Sequence, residues 1–477
     1  MPGNPGLVIS NRVLPILDET LPRINLGPLF VYHRDLLHDI PTAGFELDIR
    51  HFRLREIANA VWPAADRDLD APTVLTVRED SVSVSTGALN QEGVYFAASR
   101  HREHFVYFTD LFLAPAVLSG LDLPLVVRAH HPYDDGATTA VTHVQRLTHG
   151  IDQRIFRSDG GWSRETRLRP DPLARYRHPT RTDVTKVGVE QITAVEAEVG
   201  RLTNENGWAG YATLLSGGID SGLVTMCAAA CGVPVRAYGI GTPWGDEFDN
   251  AAELADFAGV EFDRYRLDED QIVAAIPETV RWLGVTEPEV VEVGIMATAA
   301  HRYGVIEPRR VLLTGFGSDM INAGLVGPSE SAPERVERGL RIVHGTRFTN
   351  ELSNHMPLAY GRQVHHPFWT HDVMDIALDT SPECKVAMGR EKYHLRSALE
   401  SRVPHTIAWR QKVAGHHGGG MQEGVARRLM KDTGHRDRRR VYANCLTEIL
   451  RLGARHPVTD WDAREVYERA VLAATDR

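Results

Sequence analysis

Cysteine is scarce in this sequence, with four among 477 residues and no CxxC pair. A disulfide framework is therefore excluded. Cys227 and Cys231, the one close pair, lie four apart in the apolar stretch VTMCAAACG, where no further zinc ligands accompany them. Both are expected to be reduced thiols buried as small core residues. Positive charge is also in deficit. The 53 Lys plus Arg against 63 Asp plus Glu leave a net charge of −10, so no chain-wide basic field exists to draw a nucleic-acid backbone. No stretch approaches the roughly 18 to 20 apolar residues of a membrane span. The start, MPGNPGLVIS, has no basic segment followed by an apolar one. The expectation is a cytoplasmic protein with no membrane and no nucleic-acid partner, and with a homodimer left open.

What is present is an ordinary globular composition, 43% hydrophobic with 41 Gly and 26 Pro, which excludes intrinsic disorder and collagen-like architecture. The length asks for two or three domains, each large enough to bury a core. Residues 1–170 hold short alternating runs such as VLTVRED, SVSVSTG, GVYFAASR and HFVYFTDLF, which predict a largely antiparallel β domain. The stretch Trp162 to Lys186 combines proline with clustered arginine and has no hydrophobic period, which marks an interdomain linker, with its boundaries placed at 171–186. Its arginines either meet phosphate or salt-bridge an acidic partner face.

From 187 to 477 the pattern changes. Val189, Ile192, Val195, Val199 and Leu202 keep a helical spacing, and strand and helix then alternate through YATLLSGG, VRAYGIG, DEFDNAAELADFAG, VEFDRYRL and RRVLLTGFG. This order predicts an α/β fold with a doubly wound parallel sheet, ligands beyond the carboxyl ends of its strands, and a mostly helical C-terminal part after about residue 330. The six residues SGGIDS, Ser216 to Ser221, fall between the first of these strands and its helix. Gly217 and Gly218 permit close backbone approach, and free amides at a helix start point at an anion. Ser216 and Ser221 add hydroxyl donors, and Asp220 supplies a hard oxygen suited to the magnesium that accompanies a nucleotide.

SGGIDS resembles the pyrophosphate-binding loop of the ATP pyrophosphatases. Together with TGFGSDMINAG (Thr314 to Gly324), NELS (Asn350 to Ser353), HPFW (His366 to Trp369), GREKYHLRSAL (Gly389 to Leu399) and IAWRQKVAGHHGGG (Ile407 to Gly420), it is similar to the synthetase domain of class B asparagine synthetases and, more closely, of β-lactam and carbapenam synthetases. Order and spacing agree over roughly residues 185–475. The β domain resembles the family's glutaminase-like domain only weakly and is shortened. The resemblance implies an ATP-dependent enzyme that adenylates a small carboxylate, releases pyrophosphate and lets an amine displace AMP. It implies magnesium on Asp220 and Asp319, either of which alone could be a helix cap. It also implies lysines on the phosphates and reaction centre at Lys392 and Lys412, and adenosine contacts at Leu214, Ile240 and Gly315. HHGGG, His416 to Gly420, is expected to act as a lid rather than as a metal site.

Two departures bear on the reaction subtype. Asparagine synthetases hydrolyse glutamine with an N-terminal cysteine; this chain reads Met1, Pro2, Gly3, so that route is expected to be absent and the β domain to be degenerate and structural. The lactam-forming relatives pair a tyrosine with a glutamate to deprotonate the amine. Here the glutamate position is Glu351, but the tyrosine position is Phe316, which carries no exchangeable proton. Glu351 then acts alone, through water, or as a fixed charge, while Phe316 packs in the substrate pocket. A β-lactam ring is put in doubt, and an intermolecular amide or a larger ring stays open. The rivals are a tRNA-modifying ATP pyrophosphatase, against which the net charge and the lack of CxxC argue, and a silent nucleotide-binding scaffold.

Overall fold

The computed structural model describes residues 6–33, 40, 44–50, 52–55, 69–89, 92–128, 137–206, 210–307, 310–325, 330–411, 420–434, 437–455 and 461–475. Lys412, His416 and His417 lie outside the described residues.

The N-terminal part forms two six-stranded antiparallel sheets. Their facing sides share one core because strand residues alternate. Ile9, Val31, Phe96 and Tyr107 meet Leu47, Leu75, Val77 and Val84 of the second sheet. Their neighbours Val8, Tyr32, Tyr95, Val106 and Phe108 point the other way, into a core shared with Ile276, Val280, Leu446 and Ile449 of the C-terminal helices. The first sheet is thus buried on both faces. The four β runs read from the sequence are the strands Val74–Arg78, Ser81–Ser85, Tyr95–Ala98 and Phe105–Phe108.

The arginine-rich stretch is not all connector. Gly161–Leu168 is a strand paired antiparallel with Ile151–Ser158 at a sheet edge. Most of its residues are exposed, which is why no hydrophobic period marked it. Beyond it, Pro172–Arg177 makes a short 3-10 turn with Leu173 and Tyr176 buried. Arg175 and Arg181 pair with Asp375 and Glu190, so the acidic-partner reading of these two arginines is the observed one.

The helix Val184–Asn206 then leads into a five-stranded parallel sheet, ordered Glu261–Arg266, Val235–Gly241, Tyr211–Leu214, Val311–Leu313, Gln363–His365. That helix buries Val187, Ile192, Val195 and Val199, whereas Val189, assigned to the same face from spacing, is 45% exposed. In chain order the sheet reads 3-2-1-4-5. Its strand order reverses between Tyr211–Leu214 and Val311–Leu313, the place where an open α/β sheet leaves a crevice for ligand. Cys227 is buried and Cys231 half-buried, both free, and burial pushes the Cys227 thiol up to about 12.

Candidate active site

Both strands at the reversal end in glycine turns that pack on one another. Gly217 has a φ of +74°, and a Cβ there would meet Asn250 Cβ at 2.4 Å, so only glycine fits. A Cβ on Gly315 would sit 2.6 Å from the Ser221 amide nitrogen. The TGFG turn therefore lies directly against the start of helix Ile219–Ala230, whose first amides are unsatisfied by intrahelical bonds. Ser216 and Ser221 are tied by Oγ to Oγ at 3.2 Å, and the Ser216 amide donates to Ser221 Oγ at 3.2 Å. Donors thus converge on one spot with the helix dipole behind them.

Asp220 stands in the first turn of helix Ile219–Ala230 and Asp319 in the short helix Ser318–Ile321, and the Lys392 ammonium lies between them, ion-paired to both. Lys392 is fully buried at a φ of +57°, an uncommon conformation for a residue with a side chain. Burial works against its charge, but the two carboxylates outweigh that and hold its pKa above the ordinary lysine value. Ser318 Oγ donates to Asp220 Oδ1 at 2.6 Å, and Asn322 donates to Ser318 Oγ at 3.2 Å, which fixes the carboxylate's direction. Two hard carboxylates already sharing one cation are a donor set that fits magnesium.

A cavity of about 740 Å³ opens above this spot. Ser216, Gly218, Asp220, Ser221, Asp319 and Lys392 line its floor, while Gly217 supports the loop from behind. Leu214, Ile240 and Gly315 line it at the strand ends. Phe316 and Glu351 line it farther along. The structure brings together every site residue read from the sequence except Gly217, which is one layer back, and Lys412, which is not described.

Burial raises the Glu351 carboxyl to about 7, with a hydrogen bond from Thr349 pulling slightly the other way. The loop that carries it is held both by helix Glu269–Leu283 and by the N-terminal strand Tyr95–Ala98. Asn350 Nδ2 donates to the carbonyls of Trp282 at 3.0 Å and Leu283 at 3.3 Å, and to the Tyr95 hydroxyl at 3.3 Å. Beside Phe316, the His366 ring lies with its centroid 5.9 Å away, and its Nδ1 is 2.6 Å from Thr314 Oγ1. Burial, with His365 and Arg50 adding to it, lowers the His366 pKa to about 3, so the ring is neutral.

Several residues escaped the sequence reading. Arg410 donates to the Gly217 carbonyl at 2.9 Å and to that of Asn250 at 3.1 Å, clasping the glycine loop, and it pairs with Glu253. Its place two residues before Lys412 in WRQK was the available signal. Glu247, at the head of helix Phe248–Ala258, lines the cavity and is raised to about 7 by burial, against the opposing charge of Arg410. No local pattern marked it.

The family model for asparagine synthase matches residues 209–352 and 329–473. A carboxyethyl-arginine beta-lactam-synthase of Streptomyces clavuligerus is 26% identical over 351 residues, 72% of this chain and 62% of that protein. A probable asparagine synthetase (glutamine-hydrolyzing) of Schizosaccharomyces pombe is 25% identical over 234 residues, 42% of each chain. The match thus spans less than two thirds of these relatives' length. A solved structure of NMN synthetase from Francisella tularensis aligns with 60% of this chain and 94% of its own at 12% identity, with a TM-score of 0.28, too low to bear on function.

Proposed function

The chain belongs to the asparagine synthase family, and on that premise we propose that it is an ATP-dependent carbon–nitrogen ligase forming AMP and pyrophosphate. It adenylates a small amino-acid-like carboxylate and lets an amine attack the activated acyl group, in natural-product biosynthesis. The observation that carries this is the pair of glycine turns at the sheet reversal, with Asp220, Asp319 and Lys392 joined between them.

In the first step the substrate carboxylate oxygen bonds to the α-phosphorus, and the bond to the bridging oxygen breaks to release pyrophosphate. The first amides of helix Ile219–Ala230 and the hydroxyls of Ser216 and Ser221 hold the phosphates. Asp220 and Asp319 hold magnesium, which when bound neutralises phosphate charge. Lys392 shifts from its carboxylates toward the phosphate oxygens as that charge arrives. In the second step the amine nitrogen bonds to the acyl carbon, AMP leaves, and the amine proton passes to Glu351, whose value near 7 suits a proton acceptor. Phe316 takes no proton. Lys412 is assigned to the oxyanion of the tetrahedral intermediate by resemblance alone.

The relative from Streptomyces clavuligerus, by its name, makes a β-lactam. With phenylalanine in place of the tyrosine, this chain is better matched to a less strained product, an intermolecular amide or a larger ring. The test is incubation with ATP and candidate carboxylic acids, with and without added amines, and mass measurement of products. AMP, pyrophosphate and a dehydrated conjugate are expected; ADP and orthophosphate overturn the reading.

A further inference from the structure

The cavity has two chemically different halves. At the glycine turns its cations are all engaged locally. Lys392 pairs with Asp220 and Asp319, Arg410 clasps the Gly217 carbonyl, and Arg396 donates to the carbonyls of Ala408 and Arg410 at 2.8 and 2.9 Å. Another wall is one face of helix Pro288–Arg302. Val290, Val293, Gly294 and Ala297 recur there at three- and four-residue spacing and line the space, while Val291, Ile295 and Ala299 on the other face are buried in the core. Gly294 lets the wall sit close to its neighbour, since a Cβ there would come within 2.9 Å of Thr279 Cγ2. Leu283 and Met356 add to the same half.

No Lys or Arg lines this half among the described residues. His301 lines it, but burial, with Arg362 beside it, lowers its pKa to about 3, so it is neutral. The acids are Glu351 and, exposed, Glu289. A substrate carboxylate or phosphate placed here would lose its hydration with no cation to replace it, which is costly. An alkyl or aryl group would instead remove apolar wall from water.

Resting on the ligase reading above, we propose that this half is the substrate-body chamber and that it takes an amino acid with an uncharged alkyl or aryl side chain. The chamber rejects side chains that end in a carboxylate.

Two readouts separate this proposal from the reaction itself. The first is calorimetric binding of norleucine, phenylalanine and glutamate to the full chain, saturated with magnesium and a non-cleavable α,β-methylene ATP. Norleucine or phenylalanine should bind at least about ten-fold tighter than glutamate, the lower end of what pocket contacts discriminate. Val293→Arg should remove that preference, and Ala297→Leu, a milder change that only fills space, should weaken phenylalanine; circular dichroism checks that each variant folds. The second readout is ATP–pyrophosphate exchange with the same acids. Glutamate binding as well as the apolar acids, or no binding of either apolar acid, overturns the chamber. If glutamate alone drives exchange, the chamber falls while the ligase reading stands. If the apolar acids bind as expected but no acid drives exchange, the chamber stands and the ligase reading falls.

Discussion

Arg146, on an edge strand of the N-terminal antiparallel sheet, donates to the carbonyl oxygen of Phe348 at 2.8 Å and to that of Thr349 at 3.3 Å. Two residues later the chain reaches Glu351. Arg146 is buried, and Tyr95 from the neighbouring strand accepts from Asn350, so the N-terminal sheet buttresses the wall that carries the proposed proton acceptor. Replacing Arg146 by Met leaves carbonyls unsatisfied, a cost of about 1 to 3 kcal/mol. Arg146→Met is expected to lower kcat for amide formation while ATP–pyrophosphate exchange is largely kept. Equal loss of both steps would mean that the arginine only holds the domains together.

Asp220 and Asp319 reach the same ammonium from the first turns of two separate helices. Asn at either position should abolish substrate-dependent pyrophosphate release, because each removes one of two carboxylates offered to the cation. Full activity in both variants would remove them from the site. Lys392→Met leaves the two carboxylates facing each other and should lower stability by about 2 to 4 kcal/mol in denaturant unfolding, toward the lower end because both acids are partly exposed.

The Glu351 carboxyl titrates near 7 in the folded chain because burial disfavours its charge. As a proton acceptor it must be ionised, so amide formation should rise with pH through about 7 and then level. Glu351→Gln should flatten that limb. The same shift has a sign for stability. Unfolded glutamate titrates near ~4.3, so the folded state holds an extra proton between the two values. This contribution is fully present below the unfolded value and is lost as pH rises through about 7. Glu351→Gln should therefore raise Tm more at pH 8 than at pH 5, and an equal change at both would rule out burial as the cause.

Gly315 has no room for a methyl group, since its nearest would-be contacts are the backbone of Asp220 and Ser221 at 2.8 and 2.6 Å. Gly315→Ala should displace the two turns, costing about 1 to 3 kcal/mol of stability and weakening ATP in a nucleotide titration. Unchanged affinity would place the nucleotide elsewhere.

Lys412→Ala should slow amide formation by about 2.7 to 4 kcal/mol, as loss of an oxyanion donor does. A rate equal to the parent would end its assignment.

The sequence by itself determined the chain's family and its layers. SGGIDS carries the glycine, hydroxyl and carboxylate pattern on which the proposed phosphate site rests, and period-two and period-3.6 hydrophobicity separated the β sheets from the α/β part. Signals of this kind are local, so they survive without coordinates. They failed where exposure hid the pattern, as in the strand Gly161–Leu168, or where one face allowed two spacings, as at Val189. Only the tertiary structure decided which distant residues share an environment. It set Lys392 between Asp220 and Asp319, Arg410 on the Gly217 carbonyl, Arg146 behind Glu351, and the apolar face of Pro288–Arg302 on the same cavity as the glycine turns. These pairings span tens to hundreds of residues, and no short-range propensity encodes them. They, with the burial that moves Glu247 and Glu351 toward 7, exist only once the chain is packed.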